Sequence, residues 1–139
     1  MWHIFYKSNK EIAWATNGLV NDSIITEQAS AGLSYLSLDV DVTVHPNTHW
    51  VNEDGNNILD KQVFNPTFSS VNPTLDDVIN VTGIPAGTEV FMDGVSQGTM
   101  SDTTLTLTAT QAGQFYIKFE KLGYQNHTPI LVTVKRYET

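Results

Sequence analysis

The feature that most constrains this chain is the spacing of turn residues in its second half. Gly83-Ile84-Pro85-Ala86-Gly87, Asp93-Gly94, Ala112-Gly113 and Gly123-Tyr124 punctuate residues 77–134 at short intervals. Only strand-length segments fit between them. Residues 77–81, 88–92, 103–109, 115–119 and 129–134 read as strands. Leu105, Leu107 and Ala109 share one face of their segment, and Phe115, Ile117 and Phe119 alternate with Tyr116, Lys118 and Glu120. A period of two places one face on a core and the other in water. Asp93-Gly94 is a hairpin signal, because both residues tolerate the positive φ such a turn needs. Short strands with glycine at the turns predict a β-sandwich.

The first half is also strand-rich but less regular. Trp2–Tyr6 and residues 12–15 flank the polar group Lys7-Ser8-Asn9-Lys10, which predicts a hairpin. Residues 19–33 are the one helix candidate, with Asp22 or Ser23 as the cap and Gly32 as the stop. Residues 35–44 alternate most cleanly: Leu36, Leu38, Val40, Val42 and Val44 against Ser37, Asp39, Asp41 and Thr43. They predict one long amphipathic strand, ended by Pro46. His49-Trp50-Val51 and Ile58-Leu59 flank a polar turn and predict a second hairpin. Residues 64–76 hold Pro66 and Pro73, each after an Asn, and read as a connector with the boundary near residue 72. The expected fold class is mainly β. A small N-terminal β-rich module with one short helix covers residues 1–68, a linker 69–76, and an Ig-like β-sandwich 77–139.

Charge and composition exclude several roles. Residues 1–70 carry three Lys against eight Asp/Glu, and residues 71–139 four Lys/Arg against seven. Neither half offers a basic face for phosphates, so no nucleic acid and no membrane surface is expected as partner. The chain has no cysteine, which excludes disulfides, thiolate metal sites and cysteine nucleophiles. MWHIFYKSNK lacks a signal-peptide pattern, so synthesis in a cytoplasm is expected.

Candidate chemistry is sparse. His45 and His49 have i, i+4 spacing, but Pro46 between them argues against a helical metal pair. Asp39 and Asp41 read as the wet side of their strand rather than as an acid–base pair. Glu53-Asp54-Gly55-Asn56-Asn57 is oxygen-rich but lacks the spacing of a calcium loop. The glycines form no phosphate-binding motif, and the three glycosylation-type triplets, such as Asn80-Val81-Thr82, read as chance. No catalytic residue, metal ligand or cofactor site is expected, and the chain is read as no enzyme. Aromatic residues concentrate in the first half. They form either a compact aromatic core or a contact patch. Trp2, Phe5, Trp14 and Trp50 are the candidate interface residues for a protein or a sugar.

Residues 77–135 resemble the small Ig-like domains of tailed-phage virion proteins and the PEGA-type domain of bacterial surface proteins. The likeness rests on Gly83-Ile84-Pro85-Ala86-Gly87-Thr88, Val90-Phe91-Met92-Asp93-Gly94, Gly98-Thr99, Ala112-Gly113-Gln114-Phe115-Tyr116 and Gly123-Tyr124. It departs from the PEGA pattern after Gly98, where Thr99 is followed by Met100-Ser101 instead of a proline. The first half, in Met1 to Trp14 and His49-Trp50-Val51, is similar to the start of short accessory proteins of tailed phages. The resemblance implies a non-enzymatic virion component, with capsid decoration favoured. Tail or fibre attachment, fibre assembly and glycan adhesion are the alternatives. Its implied partners are other virion proteins, capsid or tail, and a host surface glycan. It also implies localisation to the virion and a symmetric oligomer on the particle.

Overall fold

A computed structural model describes residues 1–136, so the end of the expected 77–139 sandwich lies outside the described residues. The chain is mainly β and divides into two compact units. The first is Met1–Gln62 with Leu122–Gln125; the second is Val63–Lys121 with Asn126–Thr139.

In the first unit, β1 (Trp2–Tyr6) and β2 (Ile12–Thr16) form the expected hairpin. Lys7 and Glu11 close its turn, and Lys10 takes a φ of 74°. β3 (Ser34–Leu38) pairs antiparallel on the other side of β1, giving the order β2-β1-β3. The helix α1 (Asp22–Ser30) lies within the predicted span. Its cap is Asn21, one residue before the expected Asp22: the Asn21 Oδ1 accepts from the Ile24 N–H at 3.0 Å. At its far end Gly32 N–H and Leu33 N–H bond back to Ala29 O and Gln28 O, the paired bonds of a glycine-terminated helix.

The predicted long strand 35–44 is cut short. Ladder pairing with β1 ends at Trp2↔Leu38; Met1 turns its amino group to Asn17 Oδ1 at 3.1 Å instead of extending the ladder. Val40 and Val44 still pack on the core without a strand partner, while Val42 is exposed. β4 (His49–Val51) and β5 (Ile58–Asp60) form the second expected hairpin. The first core joins Ile4, Tyr6 and Ile12 to Val44 and Val51, with Trp2, Leu36, Leu38 and Ile58 packed against it.

The second unit is a β-sandwich-like arrangement of two sheets. β6 (Thr67–Phe68), β7 (Val78–Thr82) and β10 (Leu105–Thr108) form one sheet in the order β10-β7-β6. β8 (Glu89–Met92), β9 (Val95–Thr99), β11 (Gly113–Glu120) and β12 (Ile130–Val134) form the other in the order β12-β11-β8-β9. The chain passes through the β8–β9 hairpin of one sheet before β10 returns to β7 in the other, a Greek-key crossover. Asp93 and Gly94, at φ 50° and 81°, make the positive-φ hairpin turn the sequence announced. Ile79, Val81, Val90, Ile117, Phe119, Val132 and Val134 are buried and alternate with exposed or half-exposed neighbours.

Residues 64–76, expected as a connector, are integrated into this unit. Phe68 pairs with Val81 and its ring lies 6.5 Å from that of Phe119. The Val71 and Pro73 carbonyls accept from Thr133 and Lys135 of β12 and its end. Pro73, buried here, has no N–H to lose, so a carbonyl-only edge contact suits it.

Candidate functional site

The register of the first sheet decides what the four singled-out aromatics can do. Phe5 sits opposite Trp14 on one side and Tyr35 on the other. The Phe5 and Trp14 rings stack at 4.3 Å between centroids, and Tyr35 leans on Phe5 at 5.3 Å. His3 stacks on Tyr35, its Nδ1 2.6 Å from the phenol oxygen. Trp14 Nε1 donates to Gln28 Oε1 of α1 at 3.0 Å. Phe5 is fully buried by this arrangement, so it lies outside any contact surface. That corrects its reading as an interface residue: the pleat and two flanking rings enclose it.

Trp2 projects on the opposite face, with Ile4 and Tyr6, and packs against the first core. Its remaining edge lines a shallow cleft of about 250 Å³ with Asn17, Asp41 and Thr43. Trp50 lies on β4 under the backbone of Gly123, where an added Cβ would stand 2.9 Å from the indole Cζ2. Trp2, Phe5, Trp14 and Trp50 therefore share no single patch. They are divided between two faces of one sheet and a separate hairpin.

The histidines are engaged structurally. His49 Nδ1 takes the Thr48 hydroxyl at 2.8 Å and its Nε2 faces Asp60 at 3.2 Å, while His45 Nδ1 accepts the Asn47 N–H. His127 is half-buried beside Phe64 and Phe119. Its Nε2 accepts the Phe119 N–H at 3.0 Å and its Nδ1 lies 2.9 Å from Thr128 O, which together place the proton on Nδ1. In the oxygen-rich turn, the Asn52 side chain caps the loop through the N–H groups of Asn56 and Asn57. Asp39 and Asp41 are exposed, beyond the end of β3. Among the described residues no three His, Asp or Glu side chains are placed to hold a metal ion.

The second unit carries a groove on its surface. The outer face of its four-stranded sheet carries Tyr116, half exposed, with Phe91, Lys118 and Pro129 around a groove of about 540 Å³. Lys118 Nζ is 3.2 Å from Glu120 Oε1, and Asp93 Oδ1 accepts the Tyr116 N–H at 2.8 Å. Aromatic rings beside paired charges can meet a sugar ring or a protein side chain. The alternation of β11 already placed Tyr116 outward, but nothing in the sequence joined it to Phe91, which only the β8–β11 pairing does. No family model matches the chain, and no match is found among curated proteins or solved structures.

Proposed function

We propose that this chain is a non-enzymatic structural component of a tailed-phage virion, a capsid decoration protein. The first unit holds the particle, and the Ig-like unit presents a surface on it. The observation that supports this reading is the division into two separately cored units, the second a β-sandwich-like arrangement of two sheets. Tail or fibre attachment uses the same division of labour. Mass spectrometry and cryo-EM of purified particles test the reading. The expected result is stoichiometric copies on the capsid; a chain absent from mature particles overturns it.

A second reading, adhesion to a host glycan, draws on the groove at Tyr116, Phe91 and Lys118. Titration of the chain with host polysaccharide, followed by intrinsic fluorescence, checks it. Tyr116→Ala is expected to abolish a response that wild type gives; no wild-type response removes this reading.

A further inference from the structure

We propose that two copies of this chain pair through the free edge of β10, antiparallel and about a two-fold axis at Thr106. The sheet β10-β7-β6 then continues across both molecules. This pairing concerns the chain in solution and does not rest on the virion reading.

β10 ends its sheet, with β7 on one side only. Half of its backbone N–H and C=O groups face away from β7, and among the described residues they have no backbone partner. Residues 103–110 contain no charge and no proline, and the β10–β7 register is unbroken. Charged side chains, proline and bulges are the devices that normally keep an edge from pairing, and this edge has none of them. The other edges of this unit are protected. β12 is covered by the carbonyls of Val71 and Pro73. On β9, Gly98 turns to φ 102°, its N–H bonds Ser96 Oγ, and Gln97 Nε2 bonds Val95 O. β6 is two residues long.

The sequence of β10 selects the partner. Residues 104–108 read Thr-Leu-Thr-Leu-Thr, the same in both directions about Thr106. Antiparallel strands related by a two-fold axis meet in reversed order, so a palindromic strand matches itself. Thr106 then faces the second copy's Thr106, Thr104 the second copy's Thr108, and Leu105 the second copy's Leu107. The exposed face becomes threonine pairs, a favourable cross-strand combination. The half-buried leucines border a groove of about 330 Å³ whose other apolar walls are Val90, Met92 and Met100. The second copy's leucines extend the apolar cover across the mouth of that groove. Charge favours this edge as well. The chain carries −8 overall, and the nearest carboxylate, Asp102, has the second copy's Thr110 as its counterpart in this register.

Analytical ultracentrifugation of the full chain tests the pairing. The expected species has twice the 15.4 kDa mass of the chain. Thr106→Lys puts two ammonium groups face to face and is expected to sediment as monomer with an unchanged circular dichroism spectrum. The chain has no cysteine, so Thr106→Cys gives a clean cross-link. Directly opposed antiparallel residues have Cα atoms about 4.5–5.5 Å apart, within disulfide reach. Under mild oxidant this variant is expected to form a covalent dimer, and Thr82→Cys, exposed on β7, is not. A wild-type chain that stays monomeric overturns the proposal. So does a Thr106→Lys chain that remains dimeric, or a Thr82→Cys chain that cross-links as readily.

Discussion

Lys61 is a buried lysine whose charge is met by one carboxylate, Glu11, at 2.6 Å. Glu11→Ala would leave that ammonium unpaired, and is expected to cost about 3 kcal/mol in urea unfolding. Replacing the pair together, Glu11→Leu with Lys61→Met, is expected to recover most of the loss, since an apolar pair avoids desolvating two ions. Gly123 is constrained twice: its φ is +83°, and the Trp50 ring occupies the space of a Cβ. Gly123→Ala is expected to cost about 3 kcal/mol and to shift the Trp50 emission. His127→Ala removes the acceptor of the Phe119 N–H, a loss of about 1–3 kcal/mol by thermal unfolding. These contacts could not be read from the sequence. Lys61 and Glu11 are fifty residues apart, and Gly123 meets Trp50 only through tertiary packing. A lone histidine after a Gly-Tyr turn carries no mark of burial.

At the scale of elements, local chemistry was a good guide where the element completes itself. α1 carries its own signals, an Asn at one end and a glycine at the other. Asn21→Ala is expected to cost about 1 kcal/mol, seen as a lower melting temperature, because the Ile24 N–H loses its acceptor. The Asp93-Gly94 hairpin is local in the same way, since two positive-φ residues define its turn. Strands are different, because each needs a neighbour. The alternation in residues 35–44 was correct for Leu36 and Leu38 and still put Val40 and Val44 inward. It overstated the strand because alternation reports which face is buried, not which residues find a ladder partner, and pairing with β1 ends at Trp2↔Leu38. The connector shows the reverse error. Two Asn-Pro pairs hid β6 and the stretch that lies along β12, because at Pro73 that stretch bonds through its carbonyl, which proline retains, while Leu75 supplies the N–H.

At the scale of the whole molecule, the units are not the two halves of the chain. Val63 opens the second unit, and Leu122–Gln125 belongs to the first, where the Gln62 N–H donates to Gly123 O and the Gln125 N–H to Gln62 O. A fragment of residues 77–139 lacks Phe64, Phe68 and the Val71 and Pro73 carbonyls. It is expected to give a poorly dispersed NMR spectrum, whereas residues 63–139 keep those groups and are expected to give a dispersed one. The sequence by itself determined the mainly β class, the hairpin turns, the helix and its stop, and the acidic, cysteine-free surface. Each of these depends on residues close together in the chain, or on composition alone. Tertiary structure decided the rest: that Phe5 is enclosed, that the four aromatics separate, and that Tyr116 and Phe91 line one groove. It also decided which strand of the sandwich is left with an open edge. The spacing of turns that first pointed to a sandwich specifies how many strands there are and how long. Which strand ends a sheet depends on pairings between residues far apart, and those are settled only when the core closes.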